Sequence, residues 1–329
     1  MGPVRRILVA IKDYEAKTTP ALVKGAQLAR ALGARMELFH GISAPLYVDG
    51  YGTFSVELPH VEQTMRARIL AKLEKMAEKL RADGIRVTVA AEWDFPVYEA
   101  VVRRANRIQA DLIVADQHAG RHRVAGLLHL TDWELLRLSP VPVLLVKTPG
   151  AYRHPVVLAA VDPGHTFSKP AKLDRRILAA SSTLARALHG TQHVLHAYAP
   201  FPFMADPQTM ISQESVDRLQ SEATEAAQKA LDRELRTARI PRAQRHVVGR
   251  HPADAIAQTA KEIHSAIVVM GAVSRSGLKR LLIGNTAERV LDLLTCDVLI
   301  VKPAHFAGRV ARGRRGPRVV TVASTVRPF

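Results

Sequence analysis

Cysteine is almost missing from this chain, because Cys296 is the single one in 329 residues. An internal disulfide framework is therefore excluded, and a reducing compartment is favoured. Aromatic residues are also scarce, at 5%, and they are not interleaved with basic residues as in base-stacking surfaces. Apolar runs fall far short of the roughly 20 residues of a spanning helix, and the amino terminus lacks the features of a signal peptide. We expect a cytoplasmic protein with no membrane partner.

Acidic residues are too few to balance the basic ones, since 30 Asp and Glu stand against 47 Lys and Arg, a net charge of +17. Part of the excess lies after Ala304, where there is no acid and six arginines occur: Arg309, Arg312, Arg314, Arg315, Arg318 and Arg327. We interpret residues 306–329 as a basic disordered tail. The alternative is nucleic-acid association through this tail.

An internal repeat organises the rest of the chain. Ala110–Asp116 resembles Ser265–Gly271, and Val143–Lys147 resembles Val298–Lys302, both at a separation of 155 residues. A period of this length indicates a duplicated domain. The predicted organisation is a first domain over residues 1–147, a linker over 148–154, a second domain over 155–305 and the tail.

Each repeat alternates short apolar runs with segments whose apolar residues recur every three or four positions. The predicted strands lie near 4–12, 35–42, 85–90, 111–116 and 141–147, then near 157–161, 191–198, 244–248, 266–271 and 297–302. This pattern predicts two tandem, doubly wound, open α/β domains, each with a parallel five-stranded sheet. The two fifth strands could cover each other and form an internal pseudo-dimer. Whether two chains also form a homodimer stays open.

The loops of the second repeat carry the clearest pattern for ligand binding. Gly271 ends the fourth strand, and Gly284 precedes the next helix, so backbone amides there could bind phosphate oxygens. Asp162 follows the first strand, where a carboxylate could accept hydrogen bonds from a ribose or adenine, or hold Mg²⁺ through water. Tight turns explain the same residues without a ligand. Neither a P-loop nor a dinucleotide fingerprint is present.

The segment from Met270 to Leu291 resembles the signature of the universal stress protein family, in which ATP-binding members carry Gly-x2-Gly-x9-Gly-Ser/Thr. The resemblance covers roughly residues 4–305 and implies the tandem type, an adenine-nucleotide alpha-hydrolase-like fold and ATP with Mg²⁺ as the ligand. The positions that it implies for the site are Ala160, Asp162, Ala197, Met270, Gly271, Ser274, Gly284, Asn285 and Thr286. Two of them depart from the pattern, because Ser274 replaces the second glycine and Asn285 replaces the Ser or Thr.

The first repeat departs from this pattern throughout. The positions of Gly271, Ser274, Gly284 and Asn285 are taken by Asp116, Ala119, His129 and Leu130, and Lys12 stands in place of Asp162. A carboxylate at position 116 would repel phosphate. We therefore expect that the first domain does not bind ATP in the manner of the family.

Other constellations are weaker. His118, His122 and His129 have spacings that could suit zinc, but no cysteine or second carboxylate completes a site, so we assign no metal. No catalytic residues emerge from the spacing, and any ATP hydrolysis would be slow. The leading hypothesis is a stress-response regulator that binds ATP or a related phosphate-bearing small molecule in its second domain. The alternative is an adaptor or scaffold that binds no nucleotide.

Overall fold

The internal contacts of the chain divide it into two compact units. The computed structural model describes residues 2–49, 58–117, 130–163, 173–198, 213–272, 285–304, 306, 308 and 310–322. One unit comprises Gly2–Ala151 with Ala307–Phe329, and the other comprises Tyr152–Phe306. We refer to them as the first domain and the second domain.

Strands and helices alternate along the first domain. They are β1 (Arg6–Ala10), α1 (Pro20–Leu32), β2 (Arg35–Ile42), β3 (Pro45–Asp49), α2 (Leu58–Ala82), β4 (Val87–Trp93), α3 (Val97–Arg107), β5 (Leu112–Asp116), α4 (Leu130–Leu138) and β6 (Val143–Val146). The main sheet has the order β4-β2-β1-β5-β6, and its neighbouring strands are parallel.

The second domain repeats this architecture. Its elements are β7 (Val156–Val161), α5 (Leu173–Ala187), β8 (Thr191–Tyr198), α6 (Gln213–Glu234), a short 3₁₀ helix (Arg242–Gln244), β9 (Arg245–Gly249), α7 (Pro252–Glu262), β10 (Ser265–Gly271), α8 (Asn285–Leu293) and β11 (Asp297–Val301). The sheet has the order β9-β8-β7-β10-β11, again with parallel neighbours.

The central strands form the core of each domain because their apolar side chains are buried on both faces of the sheet. Ile7, Leu8 and Val9 of β1 are fully buried, as are the residues 157–159 of β7. Apolar runs of this kind are typical of parallel sheets covered by helices. The predicted fold class, two tandem α/β domains with parallel five-stranded sheets, is confirmed.

The tail differs from the expectation of disorder. Arg318–Val322 forms a strand, β12, that pairs in parallel with β3 in the first domain, with Val319 opposite Leu46. Neither β3 nor β12 was expected. The β-branched residues 319–322 favour an extended strand, and Arg315 just before them forms an ion pair with Glu99. These contacts fix the part of the tail that the structure describes.

Candidate functional site

The carboxyl edge of the second sheet contains a topological switch point. The strands β7 and β10 are neighbours, with Met270 opposite Ala160, while the chain leaves β7 toward β8 on the other side. In doubly wound sheets, ligands bind in the crevice that this reversal opens beyond the strand ends. Asp162 directly follows β7, and Gly271 is the last residue of β10. The structure therefore brings these two predicted site residues to adjacent strand ends.

Asp162 is the most informative residue at this edge. It is 7% exposed, and its backbone N–H donates to Oδ1 of Asp174, 3.1 Å away. Both of its own carboxylate oxygens are buried, and neither has a hydrogen-bond partner within the part of the chain that the structure describes. A buried carboxylate without a partner is costly, so it requires an explanation such as a bound ligand.

The strand ends around Asp162 include two buried polar residues that the sequence pattern did not single out as site residues. Asp174 lies in the first turn of α5, and His196 lies on β8 opposite Val161. Both are buried. Asp174 went unnoticed because it sits inside an apolar helical stripe, where the pattern indicates only a helix packed on a sheet. An acid within such a stripe is the signal that could have identified it.

Three further predicted residues lie on the same strands. Ala160, Ala197 and Met270 are all buried. They occupy the next-to-last positions of β7, β8 and β10, respectively. Their side chains are apolar, so they could line a pocket but could not bind a charged group.

Gly271 has a reason to be glycine that involves no ligand. A Cβ atom at this position would lie 2.6 Å from Cδ2 of Leu173 and 3.2 Å from Cδ1 of Ile177. The start of α5 thus packs directly against the end of β10 and leaves no room for a side chain. Gly271 is compatible with a ligand at this edge, but its identity alone does not indicate one.

The remaining predicted residues belong to the connection from β10 to α8. Ser274 and Gly284 lie outside the described residues. Asn285 and Thr286 are the first two residues of α8, a helix of nine residues. The first amides of such a helix have no intrahelical acceptor and favour an anion.

The first domain closes the equivalent edge with its own side chain. Asp116, at the position of Gly271, accepts a hydrogen bond at Oδ1 from the backbone N–H of Ala21, 2.7 Å away, in the first turn of α1. Lys12, at the position of Asp162, is exposed. Partial burial lowers the pKa of Lys12, while Asp132 and Asp116 oppose this shift. The start of α1 thus already has a carboxylate, which gives a physical basis to the expectation that this copy does not bind ATP.

Two histidines outside the predicted site have structural roles. Nδ1 of His40 lies 2.8 Å from the carbonyl oxygen of Ile11, and His251 caps α7 by accepting from the N–H of Ala253. His118, His122 and His129 lie outside the described residues. Among the residues with described positions, no group of three or more His, Cys, Asp or Glu could hold a metal ion.

A pair of histidines links β8 and β9 near the edge of the second sheet. Nδ1 of His193 and Nε2 of His246 are 3.0 Å apart, and the two rings are stacked. Burial lowers the pKa of both rings below the ordinary 6.5. The neighbouring His246 adds to the shift of His193, whereas Glu262 opposes that of His246. The folded domain therefore keeps this pair neutral at pH values where the unfolded chain would begin to protonate it.

We predict that the thermal unfolding midpoint falls as the pH drops below 6.5, because the unfolded state then binds more protons than the folded one. Differential scanning calorimetry between about pH 7.5 and about pH 5.5 measures this dependence. A His193→Gln/His246→Gln variant should show a flatter profile, with a residual slope from the partly buried His40, whose pKa burial also lowers. His60→Gln, at an exposed position, is the matched control. Equal slopes in the double variant and wild type would contradict the prediction.

Within the described residues, no helix is both long and apolar enough to cross a membrane.

Comparisons with known proteins agree with the fold. The structure of a protein called functionally unknown, from Pseudomonas aeruginosa PAO1, superposes with a TM-score of 0.67 at 26% identity, covering 91% of this chain and 93% of that one. Universal stress protein E of Escherichia coli K12 is 26% identical over 318 residues, which are 93% of this chain and 96% of that protein.

The architecture and its switch point define a doubly wound α/β protein. The family model for the universal stress protein family matches residues 3–147 and 156–302. The chain therefore belongs to the universal stress protein family, in the tandem arrangement, and its role is in the stress response. A shorter universal stress protein was solved in complex with cAMP, but it matches at a TM-score of 0.28 over 46% of this chain, and its ligand is a property of that protein.

Proposed function

We propose that the second domain binds ATP, or a related phosphate-bearing small molecule, at the switch point between β7 and β10, and that the protein acts as a regulator in the cytoplasm. The observation that carries this proposal is the buried Asp162 carboxylate, whose two oxygens have no hydrogen-bond partner among the described residues. A ligand that donates hydrogen bonds would relieve this deficit. A nucleoside has such donors in its ribose hydroxyls and in the adenine amino group.

The charge of Asp162 determines how a nucleotide would be oriented. The carboxylate repels phosphate, so the phosphates must lie away from it, toward the connection that contains Ser274 and Gly284 and toward the first amides of α8. At that end, Mg²⁺ bound to the phosphates would neutralise part of their charge. The residues therefore suit a ligand with a neutral donor end and an anionic end. The equivalent edge of the first domain does not suit such a ligand, because the Asp116 carboxylate already accepts a hydrogen bond from the start of α1 there.

The substitution Asp162→Asn tests the proposal with almost no change in side-chain shape. We expect the affinity for ATP, measured by isothermal titration calorimetry with Mg²⁺, to fall about tenfold to a hundredfold, because a hydrogen bond to a charged group contributes about 1.5–3 kcal/mol. The unfolding midpoint should stay equal or rise, since an unpartnered buried charge is removed. A purely structural role for Asp162 would instead lower the midpoint.

The matched control is Asp116→Asn at the equivalent edge of the first domain, which should leave ATP affinity unchanged. Gly284→Glu adds a carboxylate at the proposed phosphate end and should abolish binding. Weak and equal binding by wild type and Gly284→Glu would refute nucleotide binding. Mass spectrometry of gently purified protein then distinguishes an adaptor without a ligand from a protein that carries a different small molecule.

A further inference from the structure

A buried acidic pair lies at the end of β4 and the start of α3 in the first domain. Asp94 and Glu99 are bridged by Arg103, which donates to both oxygens of Asp94 at 2.7 Å and to Oε2 of Glu99 at 2.8 Å. The side chains of Arg103 and Asp94 are 2% and 1% exposed, and that of Glu99 is 11% exposed. We call Asp94, Phe95, Glu99 and the strand β3 the tail-docking site.

The tail makes three kinds of contact with this site. The backbone N–H of Arg315 donates to Oδ1 of Asp94, and its guanidinium donates to Oε1 of Glu99, both at 3.0 Å. The guanidinium of Arg318 lies 5.3 Å from the centre of the Phe95 ring. Beyond it, β12 pairs with β3 along all five residues of each strand. A backbone donor, a cation and an extended strand are thus recognised together.

The charges of the site favour a cation from the tail. Asp94 and Glu99 carry two negative charges, whereas Arg103 supplies one positive charge. The adjacent Arg104 and Arg107 are engaged by a second pair of acids, Glu37 and Glu92. Arg315 therefore supplies the charge that completes the first pair, and an uncompensated buried carboxylate is strongly unfavourable.

The contacts between the tail and the tail-docking site can open, so that another segment could replace the tail. A two-stranded sheet is marginally stable by itself, and β3 and β12 form a separate sheet of two strands. The side chain of Arg315 is 58% exposed, so its ion pair with Glu99 is accessible to water and can open. The high effective concentration of a tethered segment, in the millimolar range for short flexible linkers, favours the tail over any segment from outside.

We propose that the tail-docking site is a binding site for extended, arginine-bearing peptide segments, and that the protein fills it with its own tail. Recognition combines addition of a strand to β3 with a salt bridge to Glu99, a mode that uses backbone hydrogen bonds for affinity and side chains for specificity. When the tail is displaced, a partner segment of the same chemistry takes its place. This inference is independent of nucleotide binding in the second domain.

The substitution Arg315→Glu in the full-length chain tests whether the ion pair holds the tail. It places a carboxylate beside Glu99, but the position is on the surface and Arg103 still bridges Asp94 and Glu99, so folding is retained. Hydrogen exchange measured by mass spectrometry should become faster in the peptides that contain residues 45–49 and 318–322. Arg312→Glu makes the same change of charge at an exposed residue three positions away and should leave both rates unchanged. Unchanged protection in Arg315→Glu would overturn the assignment.

A labelled synthetic peptide with the sequence of residues 310–322 tests binding in trans by fluorescence anisotropy. We expect it to bind the Arg315→Glu protein at least about tenfold more tightly than wild type or Arg312→Glu, because the tethered competitor is lost. A peptide with glutamate in place of Arg315 should not bind. Equal binding of the first peptide to all three proteins would show non-specific attraction, and no binding to Arg315→Glu would show that the site does not accept a segment from outside. Either result refutes the proposal.

Discussion

Replacing Arg103 with methionine should lower the free energy of unfolding of the first domain by about 3–5 kcal/mol. The methionine keeps most of the side-chain volume but removes the only side chain that bridges Asp94 and Glu99 among the described residues. The two carboxylates then lie together in a buried position, and the ion pair of Glu99 with the tail residue Arg315 is half-exposed. Breaking a buried ion pair on one side is far more costly than losing an exposed pair.

Urea denaturation followed by tryptophan fluorescence measures this effect, because both tryptophans, Trp93 and Trp133, belong to the first domain. The matched control is Arg30→Met, which breaks an ion pair with Asp83 whose side chains are 57% and 61% exposed. Exposed pairs contribute about 0–1 kcal/mol, so this variant should shift the transition little. Similar shifts in the two variants would show that the buried ion pairs of Arg103 contribute no more to the free energy of unfolding than an exposed pair.

Replacing Gly190 with alanine should destabilise the second domain by about 3 kcal/mol, at the upper end of what an overpacked methyl group costs. The added Cβ atom would lie 2.0 Å from the carbonyl oxygen of Pro155 and 2.9 Å from its carbonyl carbon. These are backbone atoms at the start of β7, and the same oxygen accepts a hydrogen bond from the N–H of Thr191. Neither atom can turn away, so the starts of β7 and β8 must separate.

Circular dichroism during thermal unfolding and hydrogen exchange in β7 and β8 measure this change. Gly313→Ala is the control, because its Cβ would meet no heavy atom within 4 Å, and it should change stability by less than about 0.5 kcal/mol. A Gly190→Ala variant with wild-type stability would mean that the close approach to Pro155 relaxes without cost.

The sheets could be predicted from the sequence because their signal is local. The central strands of the two main sheets, such as β1, β7 and β11, are short apolar runs bounded by turns or helices, and burial on both faces requires such runs. The strands β3 and β12 escaped because their pairing joins segments more than 260 residues apart. Four β-branched residues follow Arg318 and favour a strand, but the prediction of disorder was based on the basic composition of the tail. The sequence pattern therefore indicated disorder where a partner in the first domain fixes the chain.

The buried charges could not be predicted for a related reason. Arg103 and Glu99 lie on α3, and charged residues on a helix usually indicate a solvent-exposed face. The contacts with Asp94 and the tail show that these two are buried. Asp162 was found from its position after the first strand, whereas its lack of hydrogen-bond partners depends on the folded surroundings. Gly271 was interpreted as a point of ligand approach, but the packing of α5 against it could not be foreseen from spacing.

The hydrogen bond from Ala21 to Asp116 has a consequence for the stoichiometry of the whole chain. A duplicated protein offers two equivalent sites at the moment of duplication, and two linked sites permit homotropic cooperativity. Because Asp116 already accepts a hydrogen bond from the start of α1, the proposed binding by the second domain predicts that a titration saturates at one equivalent of ligand per polypeptide, along a hyperbolic isotherm.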